Sequence, residues 1–238
     1  MTNTESHHLL APADISFLPG PVLLLGAPGV GKGTQAQILM ASFGIPQIST
    51  GDLLRDHRSR HTELGILAED LMAQGILVPD DLVNKMVADR LTHPDATRGF
   101  ILDGFPRTLP QATWLDAHLS SSADNKPVIA LSITVDFDEL LHRITGRRTC
   151  PVCRSIYNVF SNAPRIPGIC DLEGAKLIQR SDDSEEVFTE RLKTFDLQTA
   201  PVVEHYRLQG RFKEVNGDQS VDQVAAAIKM ALKELRTK

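Results

Sequence analysis

Long apolar runs are missing from this chain of 238 residues. None approaches the roughly 18 residues that a membrane-spanning helix needs, which excludes a protein threaded through a bilayer by such helices. Cysteine is scarce: three residues, an odd number with no export signal, argue against a disulfide framework. The opening M-T-N-T-E-S-H-H-L-L has no Lys or Arg and carries Glu5, unlike a signal or transit peptide. Residues 1–19 therefore read as a poorly ordered extension, and the chain is expected to be cytosolic. A basic stripe is also absent. The 25 Lys and Arg are spread along a chain with 30 acids and a net charge of -5, so nucleic acid is not an expected partner. There is no internal repeat and no Ser/His/Asp pattern, and the eight histidines fall mostly on expected helix surfaces or ends.

What is present alternates. Short apolar runs at 21–25, 45–49, 99–103, 128–135 and 211–215 read as strands. Between them, helical spacing is expected over 34–43, 52–74 with Asp52 as N-cap and a break at Gly65, 79–91, 110–119, 136–145 and 183–208. A terminal helix follows at 220–236, and residues 120–127 read as a loop. Alternating strands and helices imply an α/β fold with a five-stranded parallel sheet covered on both faces. Residues 146–182, rich in Pro, Gly and Cys, interrupt the alternation and read as an inserted subdomain.

Three strings carry chemistry. G-A-P-G-V-G-K-G-T (26–34) follows a strand and opens a helix, the context a phosphate-cradling P-loop requires. Its glycines let backbone N–H groups converge on phosphate oxygens, and Lys32 supplies a point charge for the β- and γ-phosphates. Where the pattern wants a metal-binding hydroxyl, however, there is Gly33, with Thr34 one place later. In L-D-G-F-P-R-T-L-P-Q (102–111), Asp103 ends a buried strand and can hold Mg²⁺ through its water shell. Gly104 permits close backbone approach, and Arg107 can fork onto a phosphate. In I-S-T-G-D-L-L-R (48–55), Thr50 and Arg55 offer a hydroxyl and a guanidinium at a helix entry.

Together with G-R-R-T-C-P-V-C, these strings resemble the adenylate kinase family, in order and spacing, from about residue 20 to the C-terminal helix. The family's loop likewise has Gly and then Thr after the Lys. The resemblance implies reversible transfer between ATP and AMP giving ADP, Mg²⁺ as cofactor, and a monomer. It also implies a core at 20–238 with an AMP-binding segment at 49–78 and a lid at 146–182. The donor site would comprise Gly29, Gly31, Lys32, Gly33, Thr34, Arg143, Arg147, Tyr157 and Gln219, with backbone near Gly217 touching the base. The acceptor site would comprise Thr50, Arg55, Ile76, Val78, Gly104, Arg107, Gln111, Arg180 and Arg191, with Gln111 reading the adenine edge. Lys32, Asp103, Arg147, Arg180 and Arg191 would carry the transfer. UMP or CMP as acceptor, or a nucleotide-binding protein without activity, are the competing readings.

Inside the insert, Cys150-Pro-Val-Cys153 and, after sixteen intervening residues, Cys170-Asp-Leu-Glu173 have the spacing of two metal knuckles. A structural Zn²⁺ held by Cys150, Cys153, Cys170 and Glu173 is expected. The long-lid bacterial members of the family have Cys or Asp at the fourth position, so Glu173 is a departure. A second departure is Y-N-V-F-S-N-A-P (157–164), where Phe160 comes one place early and Ala163 replaces a proline.

Overall fold

The computed structural model describes residues 17–120 and 126–237. Most of residues 1–19 and of the 120–127 loop therefore lies outside the described residues. The exceptions at the N-terminus are informative. Phe17 and Leu18 pack on the core, Phe17 against Phe43 with ring centroids 5.9 Å apart, so these two residues of the expected extension are held against the fold.

Five strands, β1 (Pro21–Leu25), β2 (Gln47–Ser49), β3 (Phe100–Asp103), β4 (Ile129–Thr134) and β7 (Phe212–Asn216), form one parallel sheet in the order β2-β3-β1-β4-β7. Alternation along the strands divides the core. Val22, Leu24, Ile101, Leu131 and Ile133 meet α1 (Lys32–Phe43) and α9 (Val221–Arg236) through Leu39, Phe43, Ile228 and Leu232. Leu23, Leu25, Leu102 and Ala130 meet α5 (Leu109–Ser120) and α8 (Ala200–Leu208) through Leu115, Val202 and Tyr206. A sheet buried on both faces has little polar alternation to show, which is why its strands read as unbroken apolar runs. Each fully buried aliphatic side chain contributes about 1.5–3 kcal/mol relative to exposure.

The helix expected over 52–74 is two helices, α2 (Thr50–Ser59) and α3 (Glu63–Ala73). Ser49 caps α2, its hydroxyl accepting from the N–H of Asp52, so Asp52 is a first-turn residue and not the cap. The break falls at Arg60–Thr62, where His61 adopts φ 51° and the Thr62 hydroxyl caps α3. Gly65 lies inside α3, where a β-carbon would sit 2.2 Å from the carbonyl oxygen of His57; it permits contact between the two helices and does not end one.

The single helix expected over 183–208 is α7 (Glu185–Thr194), a π-helical turn (Phe195–Thr199) and α8. Pro201 cannot donate a backbone hydrogen bond and its ring crowds the preceding turn, so the inserted residue accommodates it. The bulge has a second consequence: the Thr199 hydroxyl donates to the carbonyl of Arg107 at 2.9 Å. α4 (Asp80–Leu91) and α6 (Phe137–Gly146) complete the frame.

Residues 147–182 carry an antiparallel pair, β5 (Arg147–Thr149) with β6 (Ile156–Asn158), and a small core of Cys150, Tyr157, Cys170 and Leu177. The early Phe160 lies over His142, ring centroids 4.0 Å apart, pinning this segment to α6.

Candidate active site

Strand register builds the site. Leu24 of β1 pairs with Asp103 of β3, and Asp103 with Ser49 of β2, so three strands end in one row. The glycine-rich loop, the Asp103 turn and the start of α2 all emerge from that row, at the carboxyl edge where parallel sheets bind ligands. A cleft of about 560 Å³ lies there. Gly29, Gly31, Lys32, Gly33, Thr34, Asp103, Gly104 and Arg107 border it, as do Arg55, Ile76, Arg143, Arg147, Tyr157, Arg180, Arg191 and Gln219. Thr50, Val78 and Gln111 line a smaller adjoining cavity, shared with Ile76, Gly104 and Arg107.

The cleft is electropositive in a protein of net charge -5. Among the described residues, eight cationic side chains border it against four acidic ones, Asp52, Asp103, Glu139 and Asp182. Burial lowers Lys32 to about 8, with Arg107, Arg191 and Arg147 pushing the same way and Asp103 opposing. Burial likewise lowers Arg180 and Arg191 to about 10, helped by the neighbouring Arg147. Cations crowded until their charge is disfavoured form a site that polyphosphate relieves.

Local contacts hold these groups ready. The Lys32 ammonium donates to the carbonyls of Gly26 and Ala27 at 2.7 and 2.9 Å. Asp103 accepts from Gln47 Nε2 at 3.1 Å. A β-carbon on Gly33 would lie 3.1 Å from Ile156 of β6 and 3.7 Å from the Asp103 carboxylate. The hydroxyl missing after Lys32 would thus fall in space shared by Ile156 and the acidic strand end.

Beside the smaller cavity, Gly104 (φ 78°) turns so tightly that its carbonyl accepts from both the Thr50 hydroxyl and Arg107 Nε at 2.8 Å. Burial works to raise Asp52, but the adjacent Arg55 holds it below the usual carboxylate range. Elsewhere along the larger cleft, Arg143 donates to Glu139 at 2.7 Å and to the Gly217 carbonyl at 3.2 Å. Tyr157 turns its hydroxyl toward Cys170 Sγ and the N–H of Asp171, into the small core of residues 147–182.

Two residues that sequence reasoning left unassigned organise the arginines. Asp183, fully buried, accepts from Arg147 through both carboxylate oxygens, Nε lying at 2.9 Å. Burial alone would lower Arg147; the Asp183 hydrogen bond more than offsets it, and its pKa is raised. Asp182 accepts from Arg191 at 2.9 Å. The available signal was charge balance: arginines converging on one cleft need carboxylates when no ligand is bound, and D-D follows Arg180 after a single serine, Ser181. Arg154, with φ 63°, also borders the cleft and was not singled out.

The three cysteines are not among the residues that line the cleft. The thiols of Cys150, Cys153 and Cys170 are all within 4.8 Å of one another, with Cys153 and Cys170 Sγ at 3.6 Å. Tetrahedral zinc–thiolate geometry sets neighbouring sulfurs ~3.8 Å apart, so three corners fit. The two turns repeat each other. Arg154 N–H donates to Cys150 O and Gly174 N–H to Cys170 O, and Arg154 and Gly174 share φ values of 63° and 64°. Glu173 thus stands on the second turn where Cys153 stands on the first, although it is exposed and its carboxylate is outside the thiol group.

A parallel sheet, a glycine-rich loop opening a helix, and a cationic cleft joined to a second cavity define a P-loop protein built for two phosphate-bearing ligands. The family model for adenylate kinase matches residues 24–211. Adenylate kinases of related sequence include one from Desulforudis audaxviator, 48% identical over 85% of this chain and 94% of its own. Another, from Caldanaerobacter subterraneus subsp. tengcongensis, is 44% identical over 89% and 95%. That of Onion yellows phytoplasma is 45% identical over 91% and 98%. The chain belongs to the adenylate kinase family.

Proposed function

We propose that the protein transfers the terminal phosphoryl group of ATP to AMP, reversibly and with Mg²⁺, giving two ADP and balancing the adenine nucleotides. The supporting observation is one cationic cleft that runs from the glycine-rich loop to a cavity bordered by Thr50, Val78 and Gln111. Two nucleotides meeting end to end suit that shape. The transfer needs alignment and charge stabilisation more than covalent chemistry. In this reading Gly29, Gly31, Gly33 and Thr34 cradle the donor phosphates with Lys32. Arg143 and Gln219 flank the donor base, with the Tyr157 ring beside it. Arg55 and Arg107 hold the acceptor phosphate, Thr50, Ile76, Val78 and Gly104 shape its pocket, and Gln111 reads its base.

Arg147, Arg180 and Arg191 surround the transferring group and neutralise charge as it spreads over the equatorial oxygens. Mg²⁺ would supply further charge neutralisation. The absent hydroxyl at Gly33 and the carboxylate at Asp103 fit an ion held through its water shell. The segments 49–78 and 146–182 would close over the substrates and exclude water, with lid opening limiting turnover. We also place the protein in the cytosol as a monomer, in keeping with its three free thiols.

The test is ADP production from Mg-ATP with AMP, UMP, CMP or GMP, against a control without acceptor. AMP alone should support rapid turnover. Transfer to a pyrimidine monophosphate would overturn the acceptor assignment, and no transfer from folded protein would favour a non-catalytic nucleotide-binding role.

In the lid we propose a structural zinc on Cys150, Cys153, Cys170 and Glu173, binding the two turns of a subdomain with few core residues. Protein purified with zinc present should carry one ion per chain by mass spectrometry. Cys153→Ser should lose it and melt at lower temperature. Zinc retained in that variant, or absent from the wild type, would refute the site.

A further inference from the structure

Taking AMP as the acceptor, as proposed above, we infer that Asp80 fixes the orientation of the Gln111 carboxamide and so sets the preference for adenine over guanine. Gln111 is 2% exposed and borders the smaller cavity. Both ends of its amide are already engaged. The backbone N–H of Arg107 donates to Oε1 at 2.7 Å, and Nε2 donates to Asp80 Oδ1 at 2.8 Å. A backbone N–H only donates and a carboxylate only accepts. Turning the amide over would set donor against donor and acceptor against acceptor. Asp80 is itself held at the first position of α4, where the Thr108 hydroxyl donates to Oδ2 at 2.6 Å.

An amide so fixed retains one N–H and one lone pair in a set order. Adenine offers the complement along its edge: N1 accepts and the 6-amino group donates. Guanine offers the reverse, N1–H and O6. The acceptor phosphate, gripped by arginines at the far end, prevents the base from turning over to compensate. Adenine therefore pairs twice, while guanine meets like poles. Asp80 is a positioning residue, acting through Gln111 and not on the substrate.

Asp80→Asn keeps shape but presents a group that can donate as well as accept. One of the two contacts that oppose turning of Gln111 is then lost, and only the Arg107 N–H remains to resist it. The ratio of kcat/KM for AMP over GMP should shrink by about tenfold to a hundredfold, within the discrimination that a two-bond base contact provides. The change should appear in KM for the monophosphate, with KM for ATP unmoved. Thr108→Val, which frees Asp80 by another route, should shift the ratio in the same direction by less. In a Gln111→Ala background, Asp80→Asn should leave the ratio where Gln111→Ala put it. An unchanged ratio in Asp80→Asn, an equal loss for both monophosphates, or the same shift without Gln111 would overturn the inference. Wild-type enzyme that phosphorylates UMP and not AMP would overturn the acceptor reading as well, and the unmutated protein alone reveals that.

Discussion

Lys32→Met lowers kcat for ATP and AMP by about 10²–10³-fold, the usual loss when one donor aimed at developing charge is removed. The fold survives, because Met fills similar volume in the loop. A distinct signature separates this lysine from an ordinary surface one. Its pKa is lowered to about 8 in the folded protein by burial and neighbouring arginines, against an ordinary value of 10.5. Below about pH 8 the buried charge carries its full folding penalty. Between there and pH 10.5 the unfolded chain binds the proton that the folded chain has released, so the penalty disappears as pH rises. Wild type should therefore gain ~2–3 kcal/mol relative to Lys32→Met between pH 7 and pH 10.5. Urea unfolding of both proteins at the two pH values measures it. A constant difference would mean that Lys32 is not buried as a cation, and near-normal turnover would remove it from the transfer.

The second large effect belongs to Asp183. Asp183→Ala leaves the buried Arg147 guanidinium without its carboxylate and weakens the field around Arg191, 3.9 Å away. Breaking a buried pair by removing one partner costs about 3–5 kcal/mol, or a fall in melting temperature of roughly 6–20 °C for a chain of this size. The expected distinguishing result is rescue: polyphosphate replaces the missing negative charge, so ATP should stabilise the variant more than the wild type. Thermal melts with and without ATP decide it. An unchanged melting temperature, or equal stabilisation of both proteins, would show that Asp183 is not what balances the arginines. The physical point is that this carboxylate stands in for the ligand's charge while the site waits.

The core strands were legible because burial on both faces leaves apolar runs that nothing else explains, as in P-V-L-L-L at 21–25. The loop and the Asp103 turn were legible because their chemistry is local: glycines, a lysine and an acid at set distances along the chain. The ends of α2 and α3 were not. Ser49 and Asp52 are both acceptable N-caps, and only the hydrogen bond from Asp52 N–H to Ser49 distinguishes them. Gly65 reads as a breaker in one dimension and is a contact point in three. The π-helical turn before Pro201 was hidden because helical spacing tolerates one extra residue without losing its apolar face.

The sequence by itself determined the α/β class, the order of its elements, the phosphate loop and the arginines at motif positions. All of these follow from period, composition and short-range spacing. Tertiary structure alone decided that Asp183 faces Arg147, that Thr199 reaches the Arg107 carbonyl, and that Asp80 orients Gln111. Each joins residues separated by 31 to 92 positions. Such pairings arise from strand register and helix packing, which local spacing does not encode.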